Sequence, residues 1–296
     1  MTKRIQLTAP GRLQATIQLP SSKSICNRAL IIRALAQSHC PIENLSDCDD
    51  TRVMIKALQE MGPVIDIMAA GTAMRFLTAY LSVTKGSHLI TGTERMKQRP
   101  IRILVDALRS LGAQIEYTGN EGFPPLKITG AELTRNEISL PGNVSSQYIS
   151  ALLMIGPVLK QGLRLSLTGE IISRPYIDLT LQLMKRNGAD AEWTSSNVLE
   201  VKPQPYRPTP YYIESDWSAA SYWYAFAALM PDVVLRLPDL YKDSLQGDAR
   251  VAELFSQLGV NTTYHESYVE LTRTSACVSE LTNDCLLYTS PSPRDS

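Results

Sequence analysis

One recurring pattern narrows the folds open to this chain more than any other property: a short run of small polar residues that opens an apolar helix. It occurs at Ser24–Ala36, Gly71–Ser82, Ser145–Leu159 and Asp216–Met230. Each copy is followed by a second helical segment that begins at Asp or Pro and ends at Gly, the expected punctuation of helix starts and stops. These segments are Asp50–Gly62, Pro100–Gly112, Pro175–Gly188 and Asp248–Gly259. Strand-type runs lie between, at Gln114–Tyr117, Leu126–Thr129, Glu137–Leu140, Val198–Val201, Thr262–Tyr264 and Tyr268–Thr272, separated by Gly, Asn and Pro. The unit reads helix, strand, helix, then two or more strands. Its first copy is shortened, because only Pro63–Ala70 separates the second helix from Gly71. A repeat this long and mixed does not suit a solenoid. It predicts an α/β fold built from copies of one supersecondary unit, with helices inside and sheets outside. Pro-rich Lys202–Pro210 reads as a connector, and domain identity changes near Tyr211–Ser215.

The first copy shows how the pattern carries chemistry. Pro20–Arg28 (PSSKSICNR) follows an extended-looking run, Ala15–Leu19, and places serines at the N-cap and first turn. Ile25, Ala29, Ile32 and Ala36 share one helical face and should pack on a core. Ser24 and Arg28 are four apart on a neighbouring face, and Lys23 stands at the mouth. Free backbone N–H groups, hydroxyls and two cations at one helix start make an anion site. An ordinary capped helix with solvated cations fits the same residues. A single terminus contributes only about 0.3–1 kcal/mol toward an anion, so the repetition of the device decides.

Repetition is what the chain offers. Gly71 and Thr72 open the second apolar helix, with Arg75 one turn in; Ser145, Ser146 and Gln147 open the third, and Asp216 the fourth. Arg95, Lys97 and Arg99 precede Pro100, and Ser173, Arg174 and Tyr176 surround Pro175. If the copies surround a pseudo-symmetry axis, these starts converge on one cleft. Half a dozen charge-assisted hydrogen bonds there, each worth about 1.5–3 kcal/mol, would hold a phosphorylated, carboxylated metabolite without a metal. Plain caps remain the alternative for Gly71-Thr72 and for Ser145–Gln147. Arg75 reads as a structural brace, Lys97 as solvated, and Tyr222, Trp223 and Tyr224 as core or inter-domain packing.

Composition sets the outer bounds. The chain has 296 residues, room for two domains, with 44% hydrophobic residues and a formal net charge of +0. That balance argues against non-specific nucleic-acid or membrane-surface binding. Cys26, Cys40, Cys48, Cys277 and Cys285 show no CxxC spacing and the three histidines are scattered, so free thiols, a cytoplasmic setting and no metal site are expected. No apolar run approaches a membrane span, and Met1–Arg4 leads into strand-like sequence rather than a signal peptide. No GxGxxG, Walker, HExxH or nucleophile-elbow motif is present.

Several stretches together resemble the 3-phosphoshikimate 1-carboxyvinyltransferase (EPSP synthase) family: Pro20–Leu30, Ala70–Leu77 (AGTAMRFL), Glu94–Ile101 (ERMKQRPI), Val144–Leu153 (VSSQYISALL) and Ser173–Leu179 (SRPYIDL). The likeness runs from about Leu7 to Cys285. It implies an enolpyruvyltransferase-like fold of two similar domains, each of three βαβαββ units. Residues 21–213 would be the complete substrate-binding domain, 1–20 with 214–285 an incomplete second domain, and 286–296 a foreign or disordered tail. The implied reaction transfers the enolpyruvyl group of phosphoenolpyruvate to the 5-hydroxyl of shikimate 3-phosphate, with release of phosphate and no cofactor.

By motif, Lys23 would contact both substrates, and Ser24 and Arg28 the shikimate carboxylate side. Ser145, Ser146 and Ser173 would take the 3-phosphate, with Tyr176 and Gln147 along the ring. Gly71, Arg99, Gln147 and Lys23 would meet the phosphate of phosphoenolpyruvate, with Thr72 beside them. Where the family usually has Asn two positions before that glycine, this chain has Ala69. The family's acid/base residues would follow Cys285 and have no match here, so impaired turnover is expected of this chain. A monomer is expected too. The alternatives are a non-catalytic anion-binding domain and a UDP-N-acetylglucosamine enolpyruvyltransferase-like enzyme.

Overall fold

The computed structural model of the chain describes residues 11–274. They divide into a smaller unit of residues 11–20, 214–244 and 248–274, and a larger one of Ser21–Ile213 with Leu245–Gly247. Strand β1 (Leu13–Thr16) belongs to the smaller unit. The larger unit then runs α1 (Lys23–Leu35), β2 (Ile42–Glu43), α2 (Asp49–Glu60), β3 (Val64–Asp66), α3 (Gly71–Val83) and β4 (Ser87–Thr91). It continues with α4 (Arg102–Leu111), β5 (Gln114–Tyr117), β6 (Leu126–Thr129), β7 (Glu137–Pro141), α5 (Ser146–Ile155) and β8 (Leu163–Thr168). It closes with α6 (Arg174–Arg186), β9 (Ala191–Trp193), β10 (Val198–Val201) and β11 (Tyr211–Tyr212). The smaller unit resumes with α7 (Trp217–Leu229), β12 (Val233–Pro238), α8 (Val251–Ser256), β13 (Val260–Tyr264) and β14 (Tyr268–Arg273).

Local chemistry accounts for the helix ends. Ser22 caps α1 and accepts from the Ile25 amide, while Asp216 caps α7 and accepts from Ser218 and Ala219. Gly112 ends α4 at φ 110°, a left-handed conformation that glycine adopts without a Cβ clash. Two helices are shorter than their sequence pattern. α5 gives way to a 3-10 turn at Gly156–Val158, because Pro157 has no N–H to extend the helix. The segment Asp248–Gly259 is a 3-10 turn, Gly247–Arg250, followed by the short α8, since Gly247 and Asp248 are weak helix formers.

Three sheets share one topology, with orders β3-β4-β6-β5, β7-β8-β10-β9 and β1-β12-β14-β13. In each, the first pair is parallel and the other two are antiparallel. The stretches β3–β6 and β7–β10, with their helices, are thus two βαβαββ units. The shortened first copy keeps α1, β2 and α2 but has no hairpin of its own. Its sheet is completed by β11, which pairs parallel to β2. β1, the strand just before α1 in sequence, pairs instead with β12. The smaller unit thus takes β1 from ahead of α1 in sequence, and the larger unit takes β11 from ahead of α7.

Helices α1, α3 and α5 form the interior of the larger unit, with sheets outside. The interior helices are apolar almost all round, as helices surrounded by protein must be: eleven residues of α3 and nine of α5 are buried. In the smaller unit, α7 lays Trp217, Ala220, Tyr224 and Ala227 on its sheet. Tyr222, expected in packing, is instead 77% exposed, and Leu229 on the same stripe is 86% exposed. Tyr222 lies two positions from Tyr224, about 200° round the helix, and so faces away from the sheet that Tyr224 packs on. The expectation for 286–296 lies outside the described residues.

Candidate active site

The site assembles from helix starts of the larger unit, each brought in by a specific tie. Thr51 Oγ1 on α2 donates to Asn27 Oδ1 on α1 at 3.0 Å and fixes these two helices together. Lys23, the first residue of α1, then lies with its ammonium 4.0 Å from Asp50 Oδ2 at the start of α2. The other oxygen of Asp50 accepts the backbone N–H of Thr72 at 3.2 Å, at the start of α3. Thr72 Oγ1 accepts from Gln147 Nε2 at 3.3 Å, on the first turn of α5. Four helix starts are joined by this path.

Arg99 reaches the same place from the segment ahead of α4. A 3-10 turn at Met96–Gln98 sets its backbone, and the Tyr148 hydroxyl donates to the Pro100 carbonyl at 2.7 Å, tying that segment to α5. Its guanidinium lies over Gly71: a Cβ built there would be 2.5 Å from Arg99 Nη1 and 2.8 Å from Arg75 Nη1. Arg75 is buried, donates to the Gly71 carbonyl at 2.9 Å and lies over the Tyr148 ring. Two guanidinium groups and the amino-terminal end of α3 thus surround a glycine whose missing side chain leaves them room. Like charges held that close favour an anion beside them.

A second group surrounds α1 and α6. Ser145 caps α5 and accepts from the Gln147 amide at 3.3 Å, with Ser146 buried next to it. Ser173 stands at the N-cap of α6 and makes no side-chain cap bond, which leaves its hydroxyl uncommitted to the helix. Arg28 is only 3% exposed and turned inward. Its Nε donates to Thr180 Oγ1 at 2.7 Å, Nη2 to Ser150 Oγ at 3.0 Å and Nη1 to the Ser24 carbonyl at 2.9 Å. The rings of Phe76 and Tyr176 lie against its cationic face. Burial pulls the pKa of Arg28 down to about 10, against a smaller opposing influence of Tyr176.

The structure therefore joins Lys23, Gly71, Thr72, Arg99 and Gln147 in one contiguous region, which Ser145 touches only through its cap bond to the Gln147 amide, and brings Arg28, Ser24 and Tyr176 together in another. Arg28 organises three helices in this state, so a direct contact with a ligand needs an exchange of its bonds. Lys97, expected to be solvated, pairs with Glu94 at 2.7 Å on the surface. Asp50 was not legible as a site residue, because its carboxylate looks like a routine helix-start acid. The one available signal was its place in the second helix of the copy that carries Lys23. Among the described residues no three His, Cys, Asp or Glu side chains gather as a metal site, and no helix is long and apolar enough to cross a membrane.

The family profile described as EPSP synthase (3-phosphoshikimate 1-carboxyvinyltransferase) matches residues 7–68 and 63–286. A 3-phosphoshikimate 1-carboxyvinyltransferase of Bacteroides fragilis is 65% identical over 281 residues, 95% of this chain and 68% of its own length. That of Yersinia pestis is 37% identical over 92% of this chain and 70% of its own length. Among solved structures, an EPSP synthase from Acinetobacter baumannii superposes with a TM-score of 0.76 at 21% identity, over 90% of this chain and 65% of that one. The enolpyruvyl transferase NikO of Streptomyces tendae gives 0.66 at 17% identity, over 91% of this chain and 67% of that one. At such identities the two structures speak for the fold.

Proposed function

The chain belongs to the EPSP synthase (3-phosphoshikimate 1-carboxyvinyltransferase) family, and from that membership we propose that its larger unit binds shikimate 3-phosphate and phosphoenolpyruvate for enolpyruvyl transfer. In that reaction the enolpyruvyl group passes to the 5-hydroxyl of shikimate 3-phosphate and phosphate leaves, a step toward the aromatic amino acids. The observation that carries the proposal is the path Lys23–Asp50–Thr72–Gln147, with Arg99 over Gly71. It puts two cations, backbone amides and an amide side chain around one region at the helix starts, the donor set a phosphate takes.

In this reading Lys23, Arg99, Gly71 and Gln147 hold the phosphate of phosphoenolpyruvate, with Thr72 keeping Gln147 in place. Ser145, Ser146 and Ser173 take the 3-phosphate, Tyr176 lines the ring, and Ser24 and Arg28 serve the carboxylate side. Lys23 touches both ligands and is the catalytic group within this unit. Donors set in advance stabilise the charge of a tetrahedral, phosphate-bearing intermediate more than water does, because they need not reorganise. Proton transfer further requires a positioned acid and base, whereas ligand binding draws on the residues of this unit alone. Binding is therefore the direct test. The working form is proposed to be a cytoplasmic monomer.

Calorimetric titration of the purified chain with shikimate 3-phosphate should show one site. Ser146→Ala and Ser173→Ala should each weaken it by about tenfold or more, the loss of one charge-assisted hydrogen bond. Tighter binding of the glucosamine nucleotide than of shikimate 3-phosphate, or no binding of either, would sink the assignment of substrates.

A further inference from the structure

Asp50 is a negative charge among donors that an incoming anion would use. Its side chain is 21% exposed, with one oxygen on the Thr72 amide and the other facing Lys23. The adjacent Asp49 behaves differently: it is solvent-exposed and pairs only with Arg52, at 3.9 Å. Among the described residues Asp50 is the one carboxylate within ion-pair distance of Lys23. An acid in the first turn of α2 is favourable for that helix alone. That local benefit is equally available to an exposed acid such as Asp49. It does not explain why Asp50 turns across to α1 and α3, where it takes up one of the orphan amides of α3.

We infer that Asp50 is a resident counter-ion of the anion site. It holds the Lys23 ammonium and the Thr72 amide in register while the site is empty. When a phosphate arrives, its charge steers that phosphate away from Thr72 and toward the Gly71–Arg99 side. Asp50 is thus a positioning and specificity residue, bought at some loss of raw affinity. The inference rests on the reading of the site given above, and makes a prediction opposite in sign to that of an ordinary ligand contact: neutralising Asp50 tightens anion binding.

The test compares wild type with Asp50→Asn and Asp50→Ser, which remove the charge and keep an acceptor for the Thr72 amide, and with Asp50→Glu, which keeps the charge. Each is titrated calorimetrically with inorganic phosphate and with shikimate 3-phosphate, at low and high salt. The neutral variants should bind inorganic phosphate about threefold to tenfold more tightly, from a like charge removed at short range. That gain should shrink in high salt, which a merely structural role would not produce. Asp50→Glu should stay within about twofold of wild type on the same grounds. Unchanged or weaker phosphate binding by folded Asp50→Asn, with wild type still binding shikimate 3-phosphate, overturns the inference alone. Failure of both neutral variants to fold overturns it too, by making Asp50 a packing requirement. No binding of either anion by any of the chains removes the site reading and this inference together.

Discussion

Replacing Gly71 by alanine inserts one carbon at the point where two guanidinium groups meet. The new Cβ would stand 2.5 Å from Arg99 Nη1, 2.9 Å from Arg99 Cζ and 2.8 Å from Arg75 Nη1. Ordinary contacts of this kind settle near 3.5 Å, so a group must retreat by roughly 1 Å. Arg75 is buried and bonded to the Gly71 carbonyl, whereas Arg99 is half-exposed at the end of a flexible side chain. Arg99 therefore swings away, while Arg75, whose contact lies inside the core, must also give by several tenths of an ångström. The backbone of α3 tolerates alanine, which is the better helix former by up to about 1 kcal/mol in a helix interior and less at a first position. The strain on buried Arg75 offsets that gain, so the melting temperature should hold or fall by a few degrees. Displacing Arg99 removes a charge-assisted hydrogen bond worth about 1.5–3 kcal/mol, which is about a 10- to 150-fold weaker Kd. Calorimetry with phosphoenolpyruvate in the presence of shikimate 3-phosphate reads this directly, and shikimate 3-phosphate alone is the internal control, expected within about twofold of wild type because its phosphate is assigned to the serines. An unchanged phosphoenolpyruvate affinity, or equal losses for both ligands, would refute the placement of that phosphate over Gly71.

Other consequences follow from burial. Tyr206, Tyr224 and Tyr117 have phenol pKa values raised above the usual 10 mainly by burial, that of Tyr117 to about 12. The folded state keeps these protons while the unfolded chain loses them, so stability is complete below about pH 10 and falls as pH rises through the raised values. Arg28, lowered from 12.5 to about 10, acts in the opposite sense over that window, one group against three. The urea midpoint should fall between about pH 9 and about pH 11; a flat or rising profile contradicts it. On α7, Tyr222→Ser with Leu229→Ser removes the exposed apolar stripe without touching the buried face. Binding of an apolar fluorescent dye should drop while the melting temperature stays put, and undiminished dye signal would place the exposed surface elsewhere.

Several features could be read from residues because their energetics are local. Ser22 and Asp216 cap helices within three positions of themselves, and Gly112 ends α4 by its own backbone freedom. Spacing likewise marks Lys23, Gly71, Ser145 and Ser173 as helix-start residues, and the family resemblance attaches roles to them. Arg28 shows the limit. Four positions from Ser24 it suggests a surface cation, yet its partners Ser150 and Thr180 lie 122 and 152 residues away. No periodicity reports a bond of that range.

The sequence alone determined the alternation of elements, the α/β class, the repeat and the set of cationic and hydroxyl side chains at helix starts. Those depend on neighbours three or four residues apart, where capping, propensity and face periodicity act. Tertiary structure alone decided that β1 pairs with β12 while β11 completes the sheet of β2, and that Asp50 links Lys23 to Thr72. It also decided that Arg99 lies over Gly71. Short strands and single side chains carry too little local preference to choose among partners. Their choice is made by closure of a shared core, a property of the whole chain.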